Sequence, residues 1–242
     1  DMDGVIYHGN ELLPGVKEFI AWLQEEEKEY LFLTNSNDRT PRELAQKLSR
    51  MGLDVSEDHF YTSALATAAF LKDQDPGCSA YVIGEAGLLN ALYDAGITMN
   101  DVSPDYVVLG EGKNYSFDTL TKAINLILKG AKLIGANSDV SGPIENGIAP
   151  ACGALVAPIE RATGKPNPLM MRTGLRILGC HSADSVMIGD RMDTDVISGL
   201  ESGMSTVLVL SGVSTKETLA GYAYRPNAVL TGVGDIPKIA KS

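Results

Sequence analysis

The amino-acid sequence predicts an α/β protein with a Rossmann-like, doubly wound parallel sheet, and three observations carry that expectation. Helical-period apolar stripes alternate with short apolar runs of strand length. Several of those runs lead into loops of Gly, Asn, Asp and Thr, the pattern of buried parallel strands. A polar breaker, Asp73-Gln74-Asp75-Pro76-Gly77, marks a domain boundary, and beyond it the same alternation restarts. Repeated β–α alternation calls for parallel sheets with helices on both faces.

Taken in order, Val16, Phe19, Ile20 and Leu23 recur at i, i+3, i+4 and i+7 and predict an amphipathic helix. Trp22 lies beside that stripe and is expected to pack there, and Glu25-Glu26-Glu27 reads as a solvated helix end. Tyr30–Thr34 predicts a buried strand feeding a loop. Thr40-Pro41-Arg42-Glu43 is a capping box with Pro at the first helical position, where a missing N–H costs nothing. The helix it starts turns Leu44, Leu48 and Met51 inward and closes at Gly52. Phe60–Ser63 reads as a strand and Ala64–Leu71 as a helix.

Past the breaker come strand Ala80–Gly84, a helix around Leu88–Ala95, and strand Tyr106–Leu109. A helix with Phe117, Leu120, Ile124 and Ile127 on one face follows, then strand Leu133–Ala136. Asn137–Pro150 is expected as a loop, given Gly142-Pro143, Gly147 and Pro150. After a helix near Ala154–Ala162 the pattern resumes with Leu169–Leu178, strand Val186–Ile188, helix Val196–Leu200 and strand Thr206–Leu210. Ser214-Thr215-Lys216-Glu217 reads as a second capping box.

Composition narrows the function. Asp+Glu 31 against Lys+Arg 20 gives a formal charge of 20 − 31 = −11, the wrong sign for gripping a phosphate backbone, so no nucleic-acid partner is expected. No apolar run approaches the ~20 residues that span a bilayer, so no membrane partner is expected either. Cys78, Cys152 and Cys180 are widely spaced and form no C-x-x-C pair, which points to a reducing, cytoplasmic setting and to small apolar fillers. His8, His59 and His181 are scattered and adjoin no ligand set.

The chemistry concentrates at four places. Asp1-Met2-Asp3-Gly4-Val5 puts two carboxylates two residues apart, on one face at strand spacing. Two like charges so close imply either bound Mg²⁺ or one protonated acid. Gly189-Asp190-Arg191-Met192-Asp193-Thr194-Asp195 is a second acidic cluster behind an apolar strand, and doubly wound sheets place their sites at such strand ends. Leu33-Thr34-Asn35 ends a third strand with a hydroxyl and backbone amides suited to phosphoryl oxygens. Gly164-Lys165-Pro166 presents a lone cation. As an ordered set these predict one shared phosphoryl-transfer site.

With these motifs the sequence resembles the haloacid dehalogenase superfamily, in particular its NagD-like and 4-nitrophenylphosphatase-like phosphatases. The resemblance runs almost end to end and includes Phe60-Tyr61-Thr62-Ser63-Ala64, Tyr81-Val82-Ile83-Gly84-Glu85, Pro150-Ala151-Cys152-Gly153-Ala154 and Leu210-Ser211-Gly212-Val213. It implies Asp1 as the nucleophile that forms an aspartyl-phosphate, and Asp3 as general acid and then base. It implies Thr34 and Asn35 as phosphoryl holders, with Lys165 offsetting charge around Asp1. On Mg²⁺ it implies Asp1, the backbone carbonyl of Asp3, and Asp190. Arg191, Met192, Asp193 and Thr194 would border the substrate, with Asp195 behind the ligands.

The resemblance also implies an α/β cap at residues 76–163 inserted into a catalytic core of 1–75 and 164–242. Asn137 and Asp139 are the candidate cap contacts to substrate, and a homo-oligomer through the cap is a further expectation. Two departures stand out. Family members carry an apolar strand before the nucleophile, so residues ahead of Asp1 are expected, and they carry several more residues before G-K-P. The leading expectation is a Mg²⁺-dependent phosphatase of small nucleotide, sugar or polyol phosphates. A catalytically silent binding domain and a phosphotransferase or phosphomutase are the competing readings.

Overall fold

A computed structural model describes residues 1–144, 147–165 and 180–240, so the element expected at Leu169–Leu178 lies outside the described residues. The chain divides into two compact units: Asp1–Leu33, Ala45–Phe60 and Arg172–Ser242, and Thr34–Leu44 with Tyr61–Met171. The expected core and cap boundaries lay at 75/76 and 163/164. The second unit takes in, besides that cap range, the loop after Leu33 and the stretch from Tyr61.

In the first unit, Asp1-Met2-Asp3 runs into a tight turn. Gly4 at φ 77° donates to the Tyr7 carbonyl at 2.9 Å, and the left-handed conformation is what glycine supplies there. β1 (Tyr7–His8) and β2 (Glu11–Leu12) form an antiparallel hairpin. Helix α1 (Val16–Glu25) buries Val16, Phe19, Ile20 and Leu23, the stripe read from the sequence, and Trp22 stacks on Phe19 at 6.1 Å. Glu25, Glu26 and Glu27 are exposed. β3 (Phe32–Thr34) follows.

Helix α2 (Pro41–Arg50) begins at the expected capping box. The Thr40 backbone N–H donates to Glu43 Oε2 at 2.8 Å, and the Glu43 N–H donates to Thr40 Oγ1 at 3.2 Å. Leu44 and Leu48 are buried, and Gly52 at φ 80° ends the helix. The bonds from Thr40 hold the Glu43 carboxyl below the usual carboxylate range. A depressed folded pKa means that this contribution is present above the unfolded value of 4.5 and fades as pH falls. Thr40→Ala should lower stability by ~1 kcal/mol, a melting shift of roughly 2–4 °C at neutral pH. Thermal denaturation at pH 7 and pH 3 checks this, the difference between the two proteins narrowing at pH 3.

The first unit's sheet is β11 (Val186–Gly189), β12 (Ser205–Val209) and β13 (Ala228–Leu230), parallel and in that order. Helix α7 (Ile197–Glu201) connects β11 to β12, and Met192, Val196 and Leu208 form a buried cluster there.

β4 (Phe60–Thr62) pairs with β3. The second unit then runs through α3 (Ser63–Gln74), β5 (Ser79–Ile83), α4 (Ala86–Asp94), β6 (Thr98–Met99), β7 (Tyr106–Leu109), α5 (Phe117–Leu128), β8 (Lys132–Gly135) and α6 (Cys152–Thr163). Its sheet is parallel, in the order β6-β5-β7-β8. Every residue of β7 is buried, as expected of a central strand covered on both faces. On one face α3 and α4 pack Ala68, Leu71, Leu88 and Leu92 against Ala80, Val108 and Ile134. On the other, α5 and α6 pack Ala123, Ile127, Val156 and Ile159 against Ile83, Val107 and Leu109. Burial on this scale contributes about 25 cal/mol per Å² of apolar surface.

Three expectations are corrected. Phe117 is 84% exposed because it is the first helical residue after the Ser116 cap, and the buried stripe starts later, at Ala123, Leu126 and Ile127. The expected loop at Asn137–Pro150 contains an antiparallel hairpin, β9 (Ser141–Ile144) with β10 (Gly147–Pro150), since Gly and Pro masked the strand signal. The second capping box is Thr215 with Thr218, heading α8 (Lys216–Ala220). Ser214 is buried and donates its backbone N–H to the Asp190 carbonyl at 3.0 Å, which shifts the cap by one residue.

Among the described residues no helix is long and apolar enough to cross a membrane. Cys78 and Cys152 are buried fillers in the second unit's clusters, and Cys180 is exposed.

Candidate active site

The first unit brings three carboxylates together. Asp1, Asp190 and Asp195 each offer an oxygen within 4.8 Å of the others. The backbone nitrogen of Asp1 donates to the Ile188 carbonyl at 3.0 Å, which registers Asp1 beside the end of β11. Asp190 is the first residue beyond that strand, and Asp195 lies in a π-helical turn over Met192–Val196. Single π turns commonly mark functional sites. The Arg191 backbone N–H donates to Asp195 Oδ2 at 3.0 Å, tying the turn to the strand end.

Asp190 is 2% exposed and Asp195 5%. Burial raises the carboxyl of Asp190, and burial followed by repulsion from Asp190 pushes Asp195 up to about 6. Buried like charges need a cation or a proton. The donor set is all oxygen and suits a hard divalent ion, with Asp1, Asp190 and Asp195 the side chains that would hold it.

The loop after β12 is a part of the site to which the sequence assigned no role. The Val213 N–H donates to Asp190 Oδ2 at 2.6 Å, and Ser211 Oγ donates to the Gly4 carbonyl at 2.6 Å. A side chain at Gly212 would overlap Asp190 Oδ2, and one at Gly4 would meet the same atom at 2.5 Å. Two glycines therefore give Asp190 its space. Gly212→Ala should lower the affinity of the cluster for a divalent ion by roughly 10–100-fold, the usual effect of disturbing a ligand's supporting contacts. A Mg²⁺ titration of turnover, with melting temperature as control, checks it.

Asp3 does not join this carboxylate cluster; its side chain is 53% exposed and its Oδ1 lies 3.6 Å from His8 Nδ1. His8, set aside on sequence, thus neighbours the expected acid–base residue. His59 stacks on Tyr30 at 4.2 Å, and His181 is exposed ahead of a short 3-10 turn. Met192 is corrected: at 1% exposed it is a core residue and borders no substrate. Arg191 donates through Nε and a terminal nitrogen to Asp193 at 3.1 and 3.0 Å, and that bond lowers the Asp193 carboxyl. Thr194 is half-buried in the same turn.

In the second unit, Thr34 ends β3 and Asn35 follows it. Thr34 Oγ1 accepts the Ser36 N–H at 3.2 Å, and Asn35 Nδ2 donates to Asp139 Oδ2 at 2.9 Å. Asn137 is 2% exposed; it donates to the Asn35 carbonyl at 2.7 Å and to Glu111 Oε1 at 2.8 Å. This corrects the expectation for Asn137: its amide hydrogens are already used, so it is no substrate contact. Asp139 is half-buried on the same loop. Lys165 is exposed, directly after Gly164 closes α6 at φ 67°.

The comparisons with known proteins agree with these motifs. Residues 1–98 match the haloacid dehalogenase-like hydrolase family, and residues 162–236 match the HAD-hydrolase-like family. A dihydroxyacetone phosphatase of Corynebacterium glutamicum (strain R) is 49% identical over 98% of this chain and 88% of its own. The ribonucleotide monophosphatase NagD of Escherichia coli (strain K12) is 39% identical over 99% of this chain and 97% of its own. The solved 4-nitrophenylphosphatase of Thermotoga maritima superposes with a TM-score of 0.94 at 32% identity, covering 98% of this chain and 94% of that one. The chain belongs to the haloacid dehalogenase superfamily of hydrolases, in its NagD-like group.

Proposed function

We propose that this chain is a Mg²⁺-dependent phosphatase that hydrolyses small phosphate monoesters through an aspartyl-phosphate on Asp1. The observation that carries the reading is the convergence of Asp1 with the buried Asp190 and Asp195. Asp1 Oδ attacks phosphorus as the ester P–O bond breaks, and Asp3 gives its proton to the leaving oxygen. Asp3 then takes a proton from water, whose oxygen attacks the phosphorus and releases phosphate, restoring the Asp1 carboxylate. Bound Mg²⁺ would offset the repulsion between carboxylate and phosphate and orient the two. Thr34 and Asn35 hold phosphoryl oxygens, and Lys165 supplies the second positive charge.

Residues 76–163 act as the cap that selects the leaving group. The names of the relatives support esters of small polyols, sugars and nucleosides, and a panel holding dihydroxyacetone phosphate, sugar phosphates and ribonucleoside monophosphates tests the choice. No turnover of any ester with Mg²⁺ would favour the silent-scaffold reading instead. Two buried thiols support a reducing, cytoplasmic setting. Exposed Tyr93 and Phe117 support self-association through the cap, which light scattering checks.

Asp139 and Lys165 separate leaving group from phosphoryl group. Lys165→Ala should depress kcat for every ester, since transition-state charge loses a counter-ion whatever leaves. Asp139→Ala should reorder preference among esters, mainly through KM, with a smaller general loss because Asp139 also accepts from Asn35. Equal losses across the panel for both variants would place Asp139 with the phosphoryl group alone.

A further inference from the structure

We propose that Asn137 and Glu111 are positioning residues that set the donor direction of the Thr34 hydroxyl; the inference rests on Thr34 and Asn35 being the phosphoryl holders. Asn137 leaves the end of β8 and Glu111 the end of β7. Each holds a different residue of the loop that follows β3. The Asn137 amide donates to the Asn35 carbonyl at 2.7 Å, and the Glu111 backbone N–H donates to Asn37 Oδ1 at 2.6 Å. Asn37 is fully buried, and a side chain at Gly110 would overlap its Oδ1, so the strand end is shaped for this approach. Ser63 Oγ adds a second donor to the Asn35 carbonyl at 2.7 Å.

The consequence follows from peptide geometry. A trans peptide points its carbonyl and the next N–H in opposite directions. With the Asn35 carbonyl turned to Asn137 and Ser63, the Ser36 N–H turns the other way, onto Thr34 Oγ1 at 3.2 Å. A hydroxyl whose oxygen already accepts has its proton free to donate, which is what a phosphoryl oxygen requires. Glu111 completes the chain by accepting the second Asn137 N–H at 2.8 Å, which fixes the amide's orientation. Burial raises the Glu111 carboxyl, so this bond satisfies a group with little access to water.

The test uses inorganic phosphate as a competitive inhibitor and an aryl phosphate as substrate. Asn137→Ala and Glu111→Leu should each raise the phosphate inhibition constant about tenfold and lower kcat/KM by a similar factor for every ester. Glu111→Gln keeps an acceptor oxygen and should recover most of that loss, to within about threefold of the parent. A role confined to stability would lower the melting temperature of Glu111→Leu while leaving the inhibition constant and kcat/KM within about twofold, and that result overturns the proposal. If Glu111→Leu does not fold, Asn137→Ala, a pure deletion of side-chain atoms, decides by the same readouts. Thr34→Ala separates the two levels. Unchanged phosphate inhibition in Thr34→Ala overturns the phosphoryl-holder reading and this inference with it. Weakened inhibition in Thr34→Ala beside parent-like inhibition in Asn137→Ala overturns the inference alone.

Discussion

Asp1→Asn is expected to abolish turnover of an aryl phosphate to within a few thousandths of the parent rate or less. The substitution nearly preserves shape but removes the attacking charge, and covalent catalysis is lost with its nucleophile. The same change takes one of three carboxylates from a cluster whose other members are buried. Asp190 and Asp195 then lose one like-charged neighbour, so the folded protein should be no less stable than the parent. Mass spectrometry after brief exposure to substrate should detect a phosphoryl adduct on the parent and none on the variant. Turnover of the variant near the parent rate would remove Asp1 from the mechanism.

Elements whose signal is local were legible in the sequence. The stripe Val16, Phe19, Ile20 and Leu23 needed only the helical period, and the Thr40–Glu43 box only the chemistry of the first turn. What the sequence could not show depends on contacts between distant segments. Asn35 and Asn137 are 102 positions apart, and nothing near Asn137 indicates that its amide is consumed by a carbonyl there. Val213 meets Asp190 across 23 residues, so the loop after β12 resembled known phosphatases without disclosing its task. The resemblance sets Met192 in a loop bordering substrate, yet it lies buried in a π turn. Asp195 stands behind the ligands by resemblance, whereas the structure brings one of its carboxylate oxygens within 4.8 Å of Asp1 and Asp190.

Removal of the metal should be as damaging as loss of the nucleophile, and reversible. With excess chelator the hydrolysis of every ester in the panel should fall to background, and Mg²⁺ should restore it. The reason is electrostatic: three carboxylates within 4.8 Å, two of them almost wholly buried, cannot all stay ionised beside a phosphate without a cation. Ca²⁺ should restore activity poorly although it binds the same oxygens, because its larger and more variable shell misplaces carboxylate and phosphorus. Asp190→Asn and Asp195→Asn separate the members of the cluster. Asp190 has its own N–H donor from Val213 and two glycines that clear its space, so its loss should raise the Mg²⁺ requirement most, by roughly 100-fold. Asp195 also accepts from the Arg191 backbone, an interaction that Asn can keep, so its variant should need roughly tenfold more Mg²⁺. Full activity in excess chelator would mean that the cluster serves as a proton store, and the buried carboxylates would then be neutral partners of Asp1 instead of ligands.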